Sequence, residues 1–139
     1  AAVVGTRLCS YQNSLFASDD YLSKNGQPQQ IEDLKEHSCL PYGVNQQNIE
    51  WHFKQGSVGV SGSICSDNTE VIINAAVLGL GIAYVPEMII SQELLRGELK
   101  PVLSDVHSND FEMWGYYQKM EYVPLKLRVF IDFIKKYFS

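Results

Sequence analysis

The sequence predicts an α/β fold, and three observations carry that expectation. Short apolar strands alternate with helices through the middle of the chain. The helix from about Asn68 to Leu78 is apolar nearly all round, as an element packed beneath a sheet must be. The last segment is an amphipathic helix, which needs a surface to lie on. A largely parallel sheet covered by helices satisfies all three.

Taken in order, Leu8 to Ala17 reads as a strand with imperfect alternation. Ser18 is placed to N-cap a short helix over Asp19 to Lys24, and Asn25-Gly26 ends it. Pro28 separates it from a second short helix, Ile31 to His37, whose first turn carries Glu32 and Asp33. Trp51 and Phe53 alternate onto one face of Glu50 to Lys54, and Gln55-Gly56-Ser57 turns that strand into a hairpin with Val58 to Ile64. Ser66-Asp67-Asn68-Thr69-Glu70 is a strong helix start, and Gly79-Leu80-Gly81 a stop. Ile82 to Val85 reads as a buried strand, and Pro86 opens a helix through Met88, Ile89, Leu94 and Leu95 that Gly97 closes. Leu99 to Leu103 and Phe111 to Tyr117 read as strands. In the tail, Pro124 suits a first turn, and Leu127, Phe130, Ile131, Ile134 and Phe138 fall on one stripe.

Composition narrows the function. The chain has 139 residues, 45% of them hydrophobic and 19% charged, which is a globular balance long enough for a real core. No apolar run approaches a membrane span, so no membrane association is expected. Sixteen acidic residues face eleven basic ones, and Arg7, Arg96 and Arg128 lie far apart. The clustered cations that neutralise phosphates are missing, so a DNA-binding surface is not expected here. Cys9, Cys39 and Cys65 are an odd number without CxxC spacing, which predicts free thiols and a cytoplasmic location. His37 and Cys39 sit two apart, but zinc needs three or four ligands, and His52 and His107 add no paired spacing. Neither a metal nor a cofactor is expected. The opening Ala1-Ala2-Val3-Val4-Gly5 has neither an initiating Met nor a signal pattern, and reads as the interior of a longer chain.

The stretch most able to do chemistry is Ser66 to Thr69. A helix starting there presents free backbone N–H groups and a positive dipole end, which with the Thr69 hydroxyl suit a carboxylate, sulfate or phosphate. The plainer reading is that Ser66 or Asp67 merely caps the helix. Gly79-Leu80-Gly81 follows a helix and precedes a strand, the reverse of a dinucleotide-binding turn. The glycines from Gly56 to Gly62 lack a phosphate-binding lysine. No GxSxG elbow occurs, and Asp19 with Asp20, or Glu32 with Asp33, fit helix starts better than catalytic pairs. An enzyme is therefore not expected.

The order of segments resembles one family. Leu15-Phe-Ala-Ser-Asp-Asp-Tyr-Leu22 is similar to the signature that opens the second lobe of LysR-type transcriptional regulators. Pro28, Ile31-Glu-Asp-Leu34, His37-Ser-Cys-Leu40 and Trp51-His-Phe53 follow in the family's order. Ser66-Asp-Asn68, Gly79-Leu-Gly-Ile82, Val85-Pro86, Gly97-Glu-Leu99 and Val102-Leu103 continue it, and Val129-Phe-Ile-Asp-Phe133 resembles the closing helix. The resemblance covers nearly the whole chain.

It implies a two-lobed fold like that of periplasmic solute-binding proteins, with lobe one mostly missing. Residues 1–16 would be the end of lobe one and a hinge strand, 17–110 a complete lobe two, and 111–139 a hinge strand with the return helix of lobe one. It further implies a small effector between the lobes, which the helix start from Ser66 to Thr69 would make an anionic one. By position its contacts would be Asp67, Asn68, Thr69, Tyr84 and Pro86, with Ser18 and Tyr42 as weaker candidates. Self-association to a dimer or tetramer is implied, with DNA bound only through an absent helix-turn-helix domain. The rival readings are the solute-binding lobe of a periplasmic transport protein and an enzyme on the same fold.

Overall fold

The structure, a computed structural model, describes residues 2–44, 49–118 and 125–138. It divides into two compact units, Ala1–Tyr11 with Asp110–Ser139, and Gln12–Asn109. The expected divisions after residues 16 and 110 compare with breaks after Tyr11 and Asn109.

The larger unit is built on a four-stranded sheet. Its strands are β2 (Asn13–Ala17), β3 (Cys39–Leu40), β6 (Ile82–Pro86) and β7 (Lys100–His107), in the order β3-β6-β2-β7. β3 and β6 are parallel, but β2 runs antiparallel to both β6 and β7. The expectation of a largely parallel sheet is corrected on this point. The segment Leu8 to Ala17, expected as one strand, is split at Gln12, and only its second half enters this sheet.

Alternation along β6 sends side chains to two cores. Ile82 and Tyr84 join Leu15, Ala17, Tyr21, Leu34, Cys39, Trp51 and Phe53 on one face. Ala83 and Val85 join Phe16, Leu40, Ile72, Ala75, Ala76, Ile90 and Leu99 on the other. The first core is roofed by α1 (Asp19–Asn25), a 3-10 turn over Ile31–Glu36, and the hairpin of β4 (Glu50–Phe53) with β5 (Gly56–Gly59). The second is covered by α2 (Thr69–Val77) and by a 3-10 turn over Glu87–Ile90 that leads into α3 (Ser91–Leu95). Pro86 therefore ends a strand, and the helix it was expected to open is these two short pieces.

The ends of α1 and α2 follow the residues that stand there. Ser18 accepts a hydrogen bond from the Tyr21 N–H at 3.1 Å and caps α1, and Gly26 ends it at φ +81°. α2 is less enclosed than its composition predicts. Ile72, Ala75 and Ala76 are buried, while Val71 is 44% exposed and Leu78 74% exposed. Only one face of it meets the sheet.

The smaller unit is an antiparallel ribbon of β1 (Val3–Tyr11) and β8 (Phe111–Gln118), with α4 (Leu125–Phe138) packed on β1. Leu127, Ile131 and Ile134 face the ribbon and are half-buried, closing a small cavity against Leu8 and Gly115. Phe130 belongs to the expected stripe yet is 59% exposed, and Phe133 and Tyr137 lie stacked and exposed beside it. Pro124 and the side chain of Phe138 lie outside the described residues.

Candidate functional site

The start of α2 is positioned by a single bridge. Ser66 pairs with Tyr42 in parallel fashion just past the carboxyl end of β3, with the Gly43 N–H on the Ser66 carbonyl at 2.8 Å. Because β3 and β6 run side by side in the same direction, this is the sheet end at which Pro86 closes β6. A helix beginning beyond the carboxyl ends of parallel strands stands where ligands bind in open α/β sheets.

The turn spends part of its hydrogen-bonding capacity on itself. The Asn68 N–H donates to Ser66 Oγ at 3.0 Å, and Asn68 Oδ1 accepts from the Glu70 N–H at 2.9 Å. The Asn68 carbonyl accepts from Val71 and Ile72 at 3.1 and 3.3 Å. The cap residue is thus Asn68, with Ser66 supporting it, rather than Ser66 or Asp67. These bonds leave the N–H groups of Asp67 and Thr69 and the Thr69 hydroxyl for an outside acceptor. Asp67 and Asn68 are exposed, Thr69 is half-buried, and Tyr42 is 66% exposed beside them.

Two of the expected contacts are placed elsewhere. Tyr84 points to the face of the sheet away from α2, where its ring packs on Trp51 and Phe53 at 5.1 and 4.7 Å. Its hydroxyl donates to the His52 carbonyl at 2.7 Å, and burial, offset in part by a hydrogen bond with Ser108, pushes its pKa up to about 12. Ser18 sits at the other end of the sheet. It follows Ala17, the end of β2 that pairs with Lys100, and its hydroxyl faces Gly79 just ahead of β6. Tyr42 thus stands beside the turn that carries Asp67, Asn68 and Thr69, and Pro86 closes the neighbouring strand, while Ser18 caps α1 and Tyr84 packs on the hairpin.

Each histidine engages a hydroxyl: His37 Nδ1 with Tyr21 at 2.7 Å, His52 Nδ1 with Ser57 at 2.7 Å, His107 Nδ1 with Ser14 at 2.8 Å. No group of three or more His, Cys, Asp or Glu able to hold a metal occurs among the described residues. No helix among them is long and apolar enough to cross a membrane. The three thiols are unpaired, and burial pushes Cys39 up to about 12. One feature had no signal in the sequence. β7 is interrupted opposite β2, with Leu103 held at φ +46°, a conformation that nothing about a leucine announces.

The family model of the LysR substrate binding domain matches residues 1–139. This chain belongs to that family. The regulatory domain of CrgA, a LysR-type transcriptional regulator from Neisseria meningitidis, superposes on this LysR domain with a TM-score of 0.83 at 26% identity, covering 99% of the chain and 70% of CrgA's. The full-length Vibrio cholerae virulence activator AphB gives 0.80 at 30% identity, covering 100% of the chain and 49% of AphB's. Among curated proteins, the Escherichia coli HTH-type transcriptional activator AaeR is 29% identical over 142 residues, 99% of the chain and 46% of AaeR. The activator TtdR of the same species is 30% identical over 131 residues, 86% of the chain and 40% of TtdR. The LysR domain described here thus spans less than half the length of these curated relatives. These relatives are transcriptional regulators.

Proposed function

We propose that this LysR effector-binding domain senses a small anionic molecule at the start of α2, and that the signal reaches DNA through a helix-turn-helix domain of a cytoplasmic, oligomeric regulator. The observation that carries the site is the incomplete self-capping of α2. After Ser66 and Asn68 have taken their bonds, the N–H groups of Asp67 and Thr69 and the Thr69 hydroxyl remain, at the positive end of a nine-residue helix. Tyr42 and Pro86 flank that point from the ends of β3 and β6. Asp67 carries its own negative charge, so its contribution to an anion comes through the backbone. Ser18 and Tyr84 act in the fold.

A titration with acetate and sulfate, followed by amide chemical shifts, tests the site. Saturable shifts at Asp67 and Thr69, several-fold weaker in Thr69→Val with the fold intact, are expected. Identical binding by Thr69→Val and wild type would place the pocket elsewhere. In the full-length regulator the same substitution should blunt the transcriptional response to its effector. The chain by itself should not discriminate operator from random duplex DNA in a low-salt mobility shift, given its net charge of -5.

A further inference from the structure

The interruption in β7 builds a cavity that the sensing role at α2 does not use. Leu15 pairs with Val102, yet its neighbour Ser14 pairs with His107, so Leu103 to Val106 are looped out of the ladder. Leu103 is the one non-glycine residue with positive φ among the described residues, and left-handed backbone in a leucine persists only where the surroundings impose it. The surroundings do so at both sides of the loop. The Lys54 N–H holds the His107 carbonyl at 3.0 Å, Gln55 Nε2 reaches the Asp105 carbonyl at 3.4 Å, and Asn13 and Ser108 exchange two bonds at 2.8 and 3.1 Å. The bulge is a pinned feature rather than a frayed edge.

Beneath it lies a cavity of about 210 Å³, walled by Ser14, Glu87, Pro101, Leu103, Ser104 and His107. At roughly 30 Å³ for each water it has room for about seven, hence for a ligand of about that many heavy atoms. Its wall has a definite chemistry. Glu87 is the only acidic residue in it, and no lysine or arginine lines it. Ser14 and Ser104 supply hydroxyls, and Pro101 and Leu103 an apolar side. The hydrogen bond between Ser14 Oγ and His107 Nδ1, at 2.8 Å, fixes the imidazole in the wall.

We propose that this cavity is a second ligand site, which takes a small primary ammonium compound with a short apolar stem. The ammonium group pairs with Glu87 and donates to the serine hydroxyls, while the stem lies against Pro101 and Leu103. A carboxylate of the same size would meet Glu87 as a like charge. The site is separate from the start of α2, and its failure would leave that reading untouched.

Titration of the protein with n-pentylammonium, read by amide chemical shifts, tests this directly, with n-pentanoate as the matched anion. Saturable shifts at Glu87, Ser104 and His107 are expected with the amine alone. Glu87→Gln, a change at an exposed position, should weaken that binding by about tenfold, the effect of one charge-assisted hydrogen bond, at an unchanged melting temperature. The absence of saturable shifts, equal binding of pentanoate, or undiminished binding by Glu87→Gln would each overturn the proposal.

Discussion

The hydroxyl of Tyr84 donates to the backbone carbonyl of His52, tying the central sheet to the β4–β5 hairpin. Trp51 and Phe53 pack on the same ring. Replacing Tyr84 by Phe removes the donor, for a loss of about 1 kcal/mol, that of one ordinary hydrogen bond. Urea denaturation should show this as a lower midpoint at unchanged slope.

Alkaline pH should weaken the fold in a defined window. Burial raises Cys39 from 9.0 and Tyr84 from 10.0, each to about 12. The native state then holds protons that the unfolded chain releases, so this share of stability is complete below about pH 9 and is lost as the pH climbs toward 12. Urea midpoints measured from pH 8 to pH 11 should fall, and Tyr84→Phe should flatten the upper part of that fall.

Thiol reactivity should separate the cysteines. The thiolate is the reactive form, and Cys39 is wholly buried with its pKa raised, whereas Cys65 is half-exposed. At pH 8 a thiol reagent should modify Cys65 first. Cys39 should react only at the rate at which the domain opens, as mass spectrometry of quenched samples can follow.

Gly79 and Gly97 offer a paired test of backbone conformation. Their φ angles are +82° and +72°, but a Cβ on Gly79 would stand 3.1 Å from Asp20 Oδ2 while one on Gly97 would meet nothing within 4 Å. Gly97→Ala should cost about 1–2 kcal/mol from the left-handed backbone alone. Gly79→Ala should cost more, because its neighbour must also give way, and thermal denaturation of the two variants measures the difference.

The outer face of α4 should make the protein associate. Val129, Phe130, Phe133 and Tyr137 are 58–69% exposed on a helix whose other face is already packed. A contiguous apolar surface of this kind favours a second copy at micromolar concentration. Light scattering should register a mass above the monomer, and Phe133→Ser should bring it down.

Elements whose signal is local were legible in the sequence. Ser18 and Gly26 bound α1 because a cap and a left-handed glycine act within one turn of chain. Trp51 and Phe53 alternate onto a buried face because their hairpin closes between neighbouring segments. The direction of β2 was not legible, since so short a segment pairs equally well either way. The exposed side of α2 was missed for a related reason, as apolar residues all round do not say how much cover the fold supplies. At the candidate site the turn from Ser66 to Thr69 stood out by residue type alone. The side of the sheet to which Tyr84 points depends on register, and the end at which Ser18 sits depends on topology. Neither leaves a mark in the local sequence.

The central place of β2 also governs when the domain can form. It is an early strand, yet its neighbours β6 and β7 arrive late, and Ser14 and His107 meet across 93 positions of chain. Until β6 emerges, the nascent chain holds the apolar Leu15-Phe16-Ala17 half of β2 with both edges bare. Closing so long a loop precedes any reward from pairing, which slows folding and puts most of the sheet's assembly after most of the synthesis. Substitutions in β2 should therefore be felt in the yield of protein made by the cell before they are felt in its binding.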